Sequence, residues 1–368
     1  MRILHVYKDY HPILGGIENH LRAVARTQAE RGHDVTVLVT NPAGRSTSVR
    51  EEEGVRVIRA SRLATVASTP LSLALFRQLR RQEPDVVHLH FPYPLGEVSQ
   101  WLLLRGRATV LTYHSDVIKQ AGILKLYHPL LKRILRSVDR IIATSEPYVQ
   151  SSPYLRSVAD RCTVIPLGID IDRFARPQPQ NVQMLRARYP GPLLLFVGRL
   201  RYYKGLDYLI EAMKQIDATL LVVGTGPEAA NLGEQAYLAG VADRVRFLGD
   251  ISDENLPAYY QAADLFVLPS SQRSEAFGIV LLEAMAAGTP LISTELNTGT
   301  SWVNQHGQTG LVVPPRDPAA LAQAIDALLA DDARRRQMGV NAQRRARTEF
   351  SLPLLVDRLL DLYREMVD

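Results

Sequence analysis

LFVLPSSQRSEAFGIVLLEAMAAGTP, residues 265–290, holds in one stretch the pattern that recurs along the whole chain. The apolar run at its start reads as a buried strand. A polar loop follows, and Gly278 opens an apolar helix over 278–287 that Gly288 closes. A parallel α/β sheet presents its ligand-binding groups in this arrangement. The loop leaves the carboxyl end of a strand, and the first N–H groups of the helix have no partner. Within the stretch, Glu275 lies in the loop and Glu283 in the early turns of the helix. The amides near Phe277, Gly278 and Ile279 can meet a phosphate or a sugar hydroxyl. A carboxylate only accepts, so Glu275 suits the hydroxyls of one sugar and Glu283 the two hydroxyls of a ribose.

Working outward, the carboxyl half reads as further strands over 192–197, 218–223, 245–248 and 291–294. Helical patterns fall over 205–215, 227–239, 255–262 and 318–329. The amino half repeats the scheme, with strands expected over 2–7, 34–40, 54–59, 86–90, 109–113, 140–144 and 161–166. A helix over 17–31 carries Leu21, Val24, Ala25 and Ala29 at helical spacing. Strands alternating with helices predict parallel sheets covered on both faces. No short-period repeat is present, which excludes a solenoid. The proline-bearing stretch 166–180 reads as a polar linker, so the domains are expected at 1–168 and 169–351. A last helix over 352–368 would return to brace the first domain.

The chain has 368 residues, which suits two such domains. It holds no run of about 20 apolar residues that could span a bilayer. Its first residues read as a strand rather than a signal peptide. The single Cys162 excludes a disulfide framework and a cysteine-rich metal site. A cytoplasmic protein is expected, with peripheral contact at the inner membrane face allowed by its charge. Net charge is +5, and residues 1–170 hold 23 Lys and Arg against 15 Asp and Glu. That excess suits phosphates or an anionic membrane surface.

Four further loops at strand ends hold candidate groups. The first strand is followed by Gly15-Gly16 directly before a helix, where backbone amides can approach an anion. Strand 109–113 is followed by His114-Ser115-Asp116, and His114 can hydrogen-bond a sugar or act as an acid or base. Strand 192–197 is followed by Gly198-Arg199 and then Lys204, two cations in one short connection that suit a diphosphate. Gly224-Thr225-Gly226-Pro227 resembles a dinucleotide fingerprint without its third glycine, so it reads as a tight turn. Asp170-Ile171-Asp172 has a form that can hold Mg²⁺, but it falls in the expected linker, and no metal site is assigned.

With these residues quoted, the chain resembles the retaining glycosyltransferases of family 4, which have the GT-B fold: two Rossmann-like, doubly wound domains facing across a deep cleft. Glu275 to Glu283 matches the family's E-x7-E motif. Gly15-Gly16, His114, Gly198-Arg199, Lys204, residues 167–170 and residues 224–227 support it across the whole length. The resemblance implies that Arg199 and Lys204 neutralise the diphosphate, with amides at Gly16 and around Gly278 assisting. It implies that Glu275 holds the donor sugar, Glu283 the ribose, and that His114 meets the sugar near the reaction centre. The base would rest beside Gly249, Asp250 and Ile251. It further implies retention of configuration by front-face attack, and no metal or cofactor beyond the nucleotide-sugar. The first domain would bind the acceptor. Residues 113–116 and 299–318 look most like bacterial mannosyl- and rhamnosyltransferases of polysaccharide assembly. GDP-mannose is therefore the expected donor, and a glycan or lipid-linked molecule the acceptor.

Residues 122–138 set Lys125, Lys132, Arg133 and Arg136 among leucines. A basic amphipathic helix of that kind suits docking on an anionic membrane, and equally a domain helix packed by its leucines. Transfer from a UDP-sugar, nucleotide-sugar epimerisation, phosphorolysis and a non-catalytic sugar-binding module are the competing readings. A nucleic-acid partner is not expected, because aromatic and basic residues do not interleave.

Overall fold

A computed structural model describes residues 1–13, 15–42, 44–66, 69–116 and 121–368, with the side chains of 121–126 outside that description. The chain divides into two compact units. Met1–Leu167 and Leu352–Asp368 form the first, and Gly168–Ser351 forms the second.

The first unit is built on β1 (Arg2–Val6), β2 (Asp34–Thr40), β3 (Ser48–Glu52) and β4 (Val55–Ala60), a small hairpin of β5 (Ala64–Val66) and β6 (Thr69–Leu71), and β7 (Val86–Phe91), β8 (Ala108–Tyr113), β9 (Arg140–Ala143) and β10 (Cys162–Val164). Its main sheet runs β10-β9-β8-β7-β1-β2-β4-β3. Every pairing is parallel except β3 with β4. Helices α1 (Gly16–Glu30), α2 (Leu73–Arg80), α3 (Pro94–Leu103), α4 (Ala121–Ser137) and α5 (Glu146–Ser151) make its crossovers. The Ser72 hydroxyl caps α2 by accepting from the Leu75 amide at 3.0 Å. The strands expected over 2–166 form within two residues of their expected ends. The polar edge strand β3 and the β5–β6 hairpin were not expected, because SVREE has no apolar alternation to mark it.

The second unit holds α6 (Ile171–Ala175), α7 (Pro179–Arg188), β11 (Leu193–Val197), α8 (Leu206–Ala212), β12 (Thr219–Val223), α9 (Ala229–Leu238), β13 (Val245–Gly249), α10 (Leu256–Ala262), β14 (Leu265–Leu268), α11 (Ile279–Ala287), β15 (Leu291–Thr294), α12 (Gly299–Val303), β16 (Gly310–Val313), α13 (Pro318–Leu329) and α14 (Asp332–Glu349). Its sheet is wholly parallel in the order β13-β12-β11-β14-β15-β16. β11 and β14 are buried at every residue, as strands covered on both faces must be. Asp317 and Asp331 cap α13 and α14 through their first-turn amides.

The expected linker over 166–180 is corrected. It contains α6, whose Ile171 and Phe174 are buried, with Phe174 set edge-on to Tyr260. One and a half turns are too few for periodicity to declare a helix. The Asp-x-Asp pair also has structural work here. Asp170 caps α6 at the Arg173 amide, and Asp172 pairs with Arg347.

The last helix, α15 (Leu352–Val367), belongs to the first unit. Leu352, Leu355, Val356, Leu359, Leu360, Leu362 and Tyr363 join a core with Ile3, Val24, Val86, Val110 and Ile142. Each buried side chain of this size contributes on the order of 2 kcal/mol before entropy is counted, so the helix is integral to that core.

The turn at 224–227 is shaped by close approach of backbones. A Cβ on Gly226 would lie 2.2 Å from the Leu200 carbonyl oxygen, whereas one on Gly233, in α9, meets nothing within 4 Å. Gly226→Ala is therefore expected to cost about 2 kcal/mol or more by forcing the two loops apart. Gly233→Ala should gain about 0.5–1 kcal/mol through helix propensity. Urea unfolding of the two variants reads both signs.

Candidate active site

In the second unit the strand order reverses between β11 and β14. A doubly wound sheet opens its ligand crevice at that point, beyond the strands' carboxyl ends. The loop after β11 carries Arg199 and Lys204, and the loop after β14 carries Glu275. The two loops lock together there. Lys204 Nζ lies 2.5 Å from Glu275 Oε2, with the two side chains 9% and 11% exposed. Gly205, at φ +68°, lets the backbone pass where a Cβ would stand 2.0 Å from the Pro269 carbonyl oxygen. Ser270 Oγ donates to the same Glu275 oxygen at 3.0 Å. Thr298 Oγ1 and the Gly299 amide hold the carbonyls of Glu275 and Ala276 at 2.9 and 2.7 Å. Burial pulls the Lys204 ammonium down, but the Glu275 charge and hydrogen bond, with Tyr203 and Glu283, outweigh it and leave it raised.

The expected partnership is thereby refined. Lys204 and Glu275 neutralise each other across the switch point. Arg199 is exposed and has no partner among the described residues, so it is an uncompensated cation of the loop. The start of α11 supplies donors. Gly278 takes φ +77°, and the amides of Phe277, Gly278 and Ile279 bond to no other described group. Phe277 is buried against Trp302 and Phe350 with ring centroids 6.5 and 6.3 Å apart, which anchors the turn. Glu283 accepts from the Tyr260 hydroxyl at 2.6 Å. Burial pushes its carboxyl up to about 7, with the Tyr260 hydrogen bond pulling the other way. Gly249 ends β13, and Asp250 and Ile251 follow it at the same sheet edge, where the Thr225 hydroxyl donates to Asp250 at 3.1 Å.

In the first unit the order reverses between β1 and β7, and the loops after β1, β7 and β8 are the corresponding positions. Gly15 precedes α1 in extended conformation, and the Glu18 carboxylate crowds it, 2.2 Å from where a Cβ would stand. A Cβ on Gly16 would meet nothing within 4 Å. His114 follows β8 and is 6% exposed, its Nε2 lying 3.0 Å from His90 Nδ1. Burial, then the neighbouring His20, holds its imidazole well below the usual histidine range. It is neutral near pH 7, which removes the acid half of the role expected for it. Asp116 is a structural acceptor for the Tyr113 and Ser152 hydroxyls.

Sequence reading missed Ser270, Tyr260 and Thr298, which hold the two glutamates, and His5, His20, His88 and His90 beneath His114. Nitrogens of His5, His88 and His90 lie within 4.8 Å of one another. They already bond to each other, to Gln28, to Tyr363 and to Thr112, so this set fits a hydrogen-bonded core better than a metal. In α4, Leu131, Ile134 and Leu135 are buried while Arg133 and Arg136 are exposed. The side chain of Lys125 lies outside the described residues.

Two family models cover most of the chain, Glycosyltransferase Family 4 over residues 14–173 and Glycosyl transferases group 1 over 179–345. The chain is 41% identical to the D-rhamnosyltransferase WbpZ of Pseudomonas aeruginosa, over 95% of its own length and 92% of the relative's. The chain belongs to glycosyltransferase family 4. The O-antigen chain mannosyltransferase C of Escherichia coli is 37% identical over 100% of the chain and 99% of the relative. The GDP-mannose-dependent alpha-(1-6)-phosphatidylinositol monomannoside mannosyltransferase of Mycobacterium tuberculosis is 30% identical over 99% and 98%. Among solved structures, the sucrose-phosphate synthase of Thermosynechococcus elongatus superposes with a TM-score of 0.81 at 28% identity, covering 99% of this chain and 98% of that one. The fold of this glycosyltransferase is GT-B, and its two sheets are the two Rossmann-like halves.

Removing one member of a buried ion pair strands the other charge, whereas removing both does not. Glu275→Leu and Lys204→Met are each expected to destabilise the glycosyltransferase by about 3 kcal/mol, and the double variant by much less than their sum. Denaturant unfolding of the three variants tests this.

Proposed function

We propose that the enzyme transfers a mannosyl or rhamnosyl unit from a GDP-linked donor to a glycan or lipid-linked acceptor in polysaccharide or O-antigen assembly. Configuration would be retained and no metal required. The observation that carries this reading is the meeting of Lys204, Glu275, Arg199 and the free amides of α11 at the second unit's switch point. The names of its mannosyl- and rhamnosyltransferase relatives support the sugar, and the GDP-mannose dependence of one supports the base.

Arg199, with its charge unspent, takes the diphosphate together with the amides at Gly278 and Gly16. Lys204 serves the phosphate on one side and orients Glu275 on the other. Glu275 keeps one oxygen for the hydroxyls of the donor sugar. Glu283 holds the ribose, the base rests by Gly249, Asp250 and Ile251, and His114 meets the sugar. These cations and amides supply the leaving-group stabilisation that a metal supplies elsewhere. No carboxylate stands as a clear nucleophile, so the acceptor hydroxyl attacks from the face the diphosphate leaves, and a β-phosphate oxygen takes its proton. The acceptor binds to the first unit. Because Leu131, Ile134 and Leu135 of α4 are buried, membrane contact there would be electrostatic, through groups such as Arg133 and Arg136. Binding to anionic vesicles that vanishes at high salt is the expected behaviour, and equal sedimentation with and without vesicles counts against it.

Calorimetry with GDP, UDP and ADP in a metal-free buffer tests the donor. Preference for GDP is expected, and Arg199→Ala should weaken it about 10-fold or more, as loss of a charged hydrogen bond does. Preference for UDP or ADP overturns the GDP-sugar assignment.

The ribose contact has its own signature. Ribose hydroxyls donate to an ionised Glu283, whose carboxyl in the free protein is pushed up to about 7. Below that pH the group must lose a proton before it can bind. Affinity for a nucleotide sugar should therefore fall by up to about tenfold per pH unit below 7 and be flat above it. Glu283→Gln should abolish the slope. Tyr260→Phe should move the break upward, since the Tyr260 hydrogen bond lowers this pKa.

A further inference from the structure

Beneath His114 runs a buried line of imidazoles. His5 on β1, His88 and His90 on β7, His20 on α1 and His114 after β8 are all 6% exposed or less. His5 Nε2 lies 2.7 Å from Gln28 Oε1, His5 Nδ1 lies 3.1 Å from His90 Nε2, and His90 Nδ1 lies 3.0 Å from His114 Nε2. Burial holds His5 at about 4 and holds His90 and His114 well below the usual histidine range, so all three are neutral. A neutral imidazole has one N–H and one bare nitrogen, and each link must join one to the other.

The amide oxygen of Gln28 only accepts, and that sets the direction of the chain. His5 Nε2 carries the hydrogen and donates to it, leaving His5 Nδ1 bare. His90 Nε2 therefore donates to His5, and His114 Nε2 donates to His90. The end of the line is the Nδ1 of His114, bare and without a partner among the described residues. On the far side the Gln28 amide lies by the Tyr363 hydroxyl, which itself meets His88 Nδ1 at 2.5 Å. With its amide NH2 turned toward the Tyr363 oxygen, which can accept from it, Gln28 presents its oxygen to His5.

We propose that Gln28, His5 and His90 are positioning residues that lock His114 in the Nε2–H tautomer, so that it offers a hydrogen-bond acceptor to a sugar hydroxyl. The bare nitrogen takes a hydroxyl hydrogen and repels an acceptor-only group such as a phosphate oxygen, so the device reads sugar rather than diphosphate. It rests on the reading that His114 meets the donor sugar. Without the chain, both tautomers of His114 would be open to it, and one of them turns an N–H toward the ligand.

Two measurements test this. In protein labelled with ¹⁵N-histidine, with His114→Ala to assign the signals, His114 should show a protonated Nε2 and a bare Nδ1. The Nδ1 signal should shift when GDP-mannose is added and not when GDP is added. Gln28→Met should move both nitrogens toward an average. A protonated Nδ1 in the unaltered protein overturns the proposal. The second readout is the ratio of affinities for GDP-mannose and GDP, which isolates the sugar contact and needs no acceptor. His114→Ala, Gln28→Met and His90→Phe should each lower the ratio about tenfold, and Gln28→Met should lower it no further in the His114→Ala background. An equal further loss there means that Gln28 acts on stability and overturns the positioning role. If His114→Ala leaves the ratio unchanged while the tautomer is as stated, the sugar contact fails and the locked ring stands alone.

Discussion

Parallel strands cannot be joined by tight turns, because each must return over the face of the sheet before the next begins. Apart from β3, every strand of a main sheet therefore runs toward the same edge of that sheet, and the loops leaving that edge collect in one place. The strand order then decides which loops become neighbours. In the second unit β11 and β14 are adjacent although β12 and β13 lie between them in the chain. That adjacency brings Lys204 to Glu275, residues 71 apart in sequence, and makes their ion pair a bridge over the gap in the sheet's wiring.

Such a pair is costly unless it is well supported, since burying charges loses hydration that mutual attraction only partly restores. The support is visible. Ser270 shares the Glu275 oxygen, Thr298 and Gly299 hold the loop's carbonyls, and the buried Phe277 pins the turn from below. The two units differ in how they treat charge. The second keeps ionised groups at its sheet edge, held by opposite charge. The first keeps imidazoles there and holds them neutral by burial, joined by shared hydrogens instead of by attraction between ions.

Residues 265–290 were legible because each feature in them is local. A strand covered on both faces is an unbroken apolar run, and glycines bracket the helix that follows. The same reasoning found the strands of both main sheets, β3 and β16 excepted, and the family motif at Glu275 and Glu283. It failed where the cause is not local. SVREE forms an edge strand only because β4 lies beside it, and α6 is a helix because Phe174 finds Tyr260. The histidines spread from residue 5 to residue 114 have no spacing to read. They meet because parallel register sets His5 beside His88 and His90 beside Thr112. Tyr260 likewise looked like one more aromatic in a helix until α10 packed against α11 and brought its hydroxyl to Glu283.

The return of α15 to the first unit also governs the order in which the chain acquires structure during synthesis. Residues 1–167 leave the ribosome first, yet Ile3, Val86 and Val110 lack their cover until residues 352–363 emerge. By then the whole contiguous stretch 168–351 has been made and can close upon itself. The second unit is thus free to finish while the first waits with an open apolar face, the reverse of the usual amino-terminal-first sequence. For most of its translation, the nascent protein exposes the surface that Leu355, Leu359 and Tyr363 eventually seal, and a ribosome that stalls before that helix releases a chain with one finished half and one sticky one.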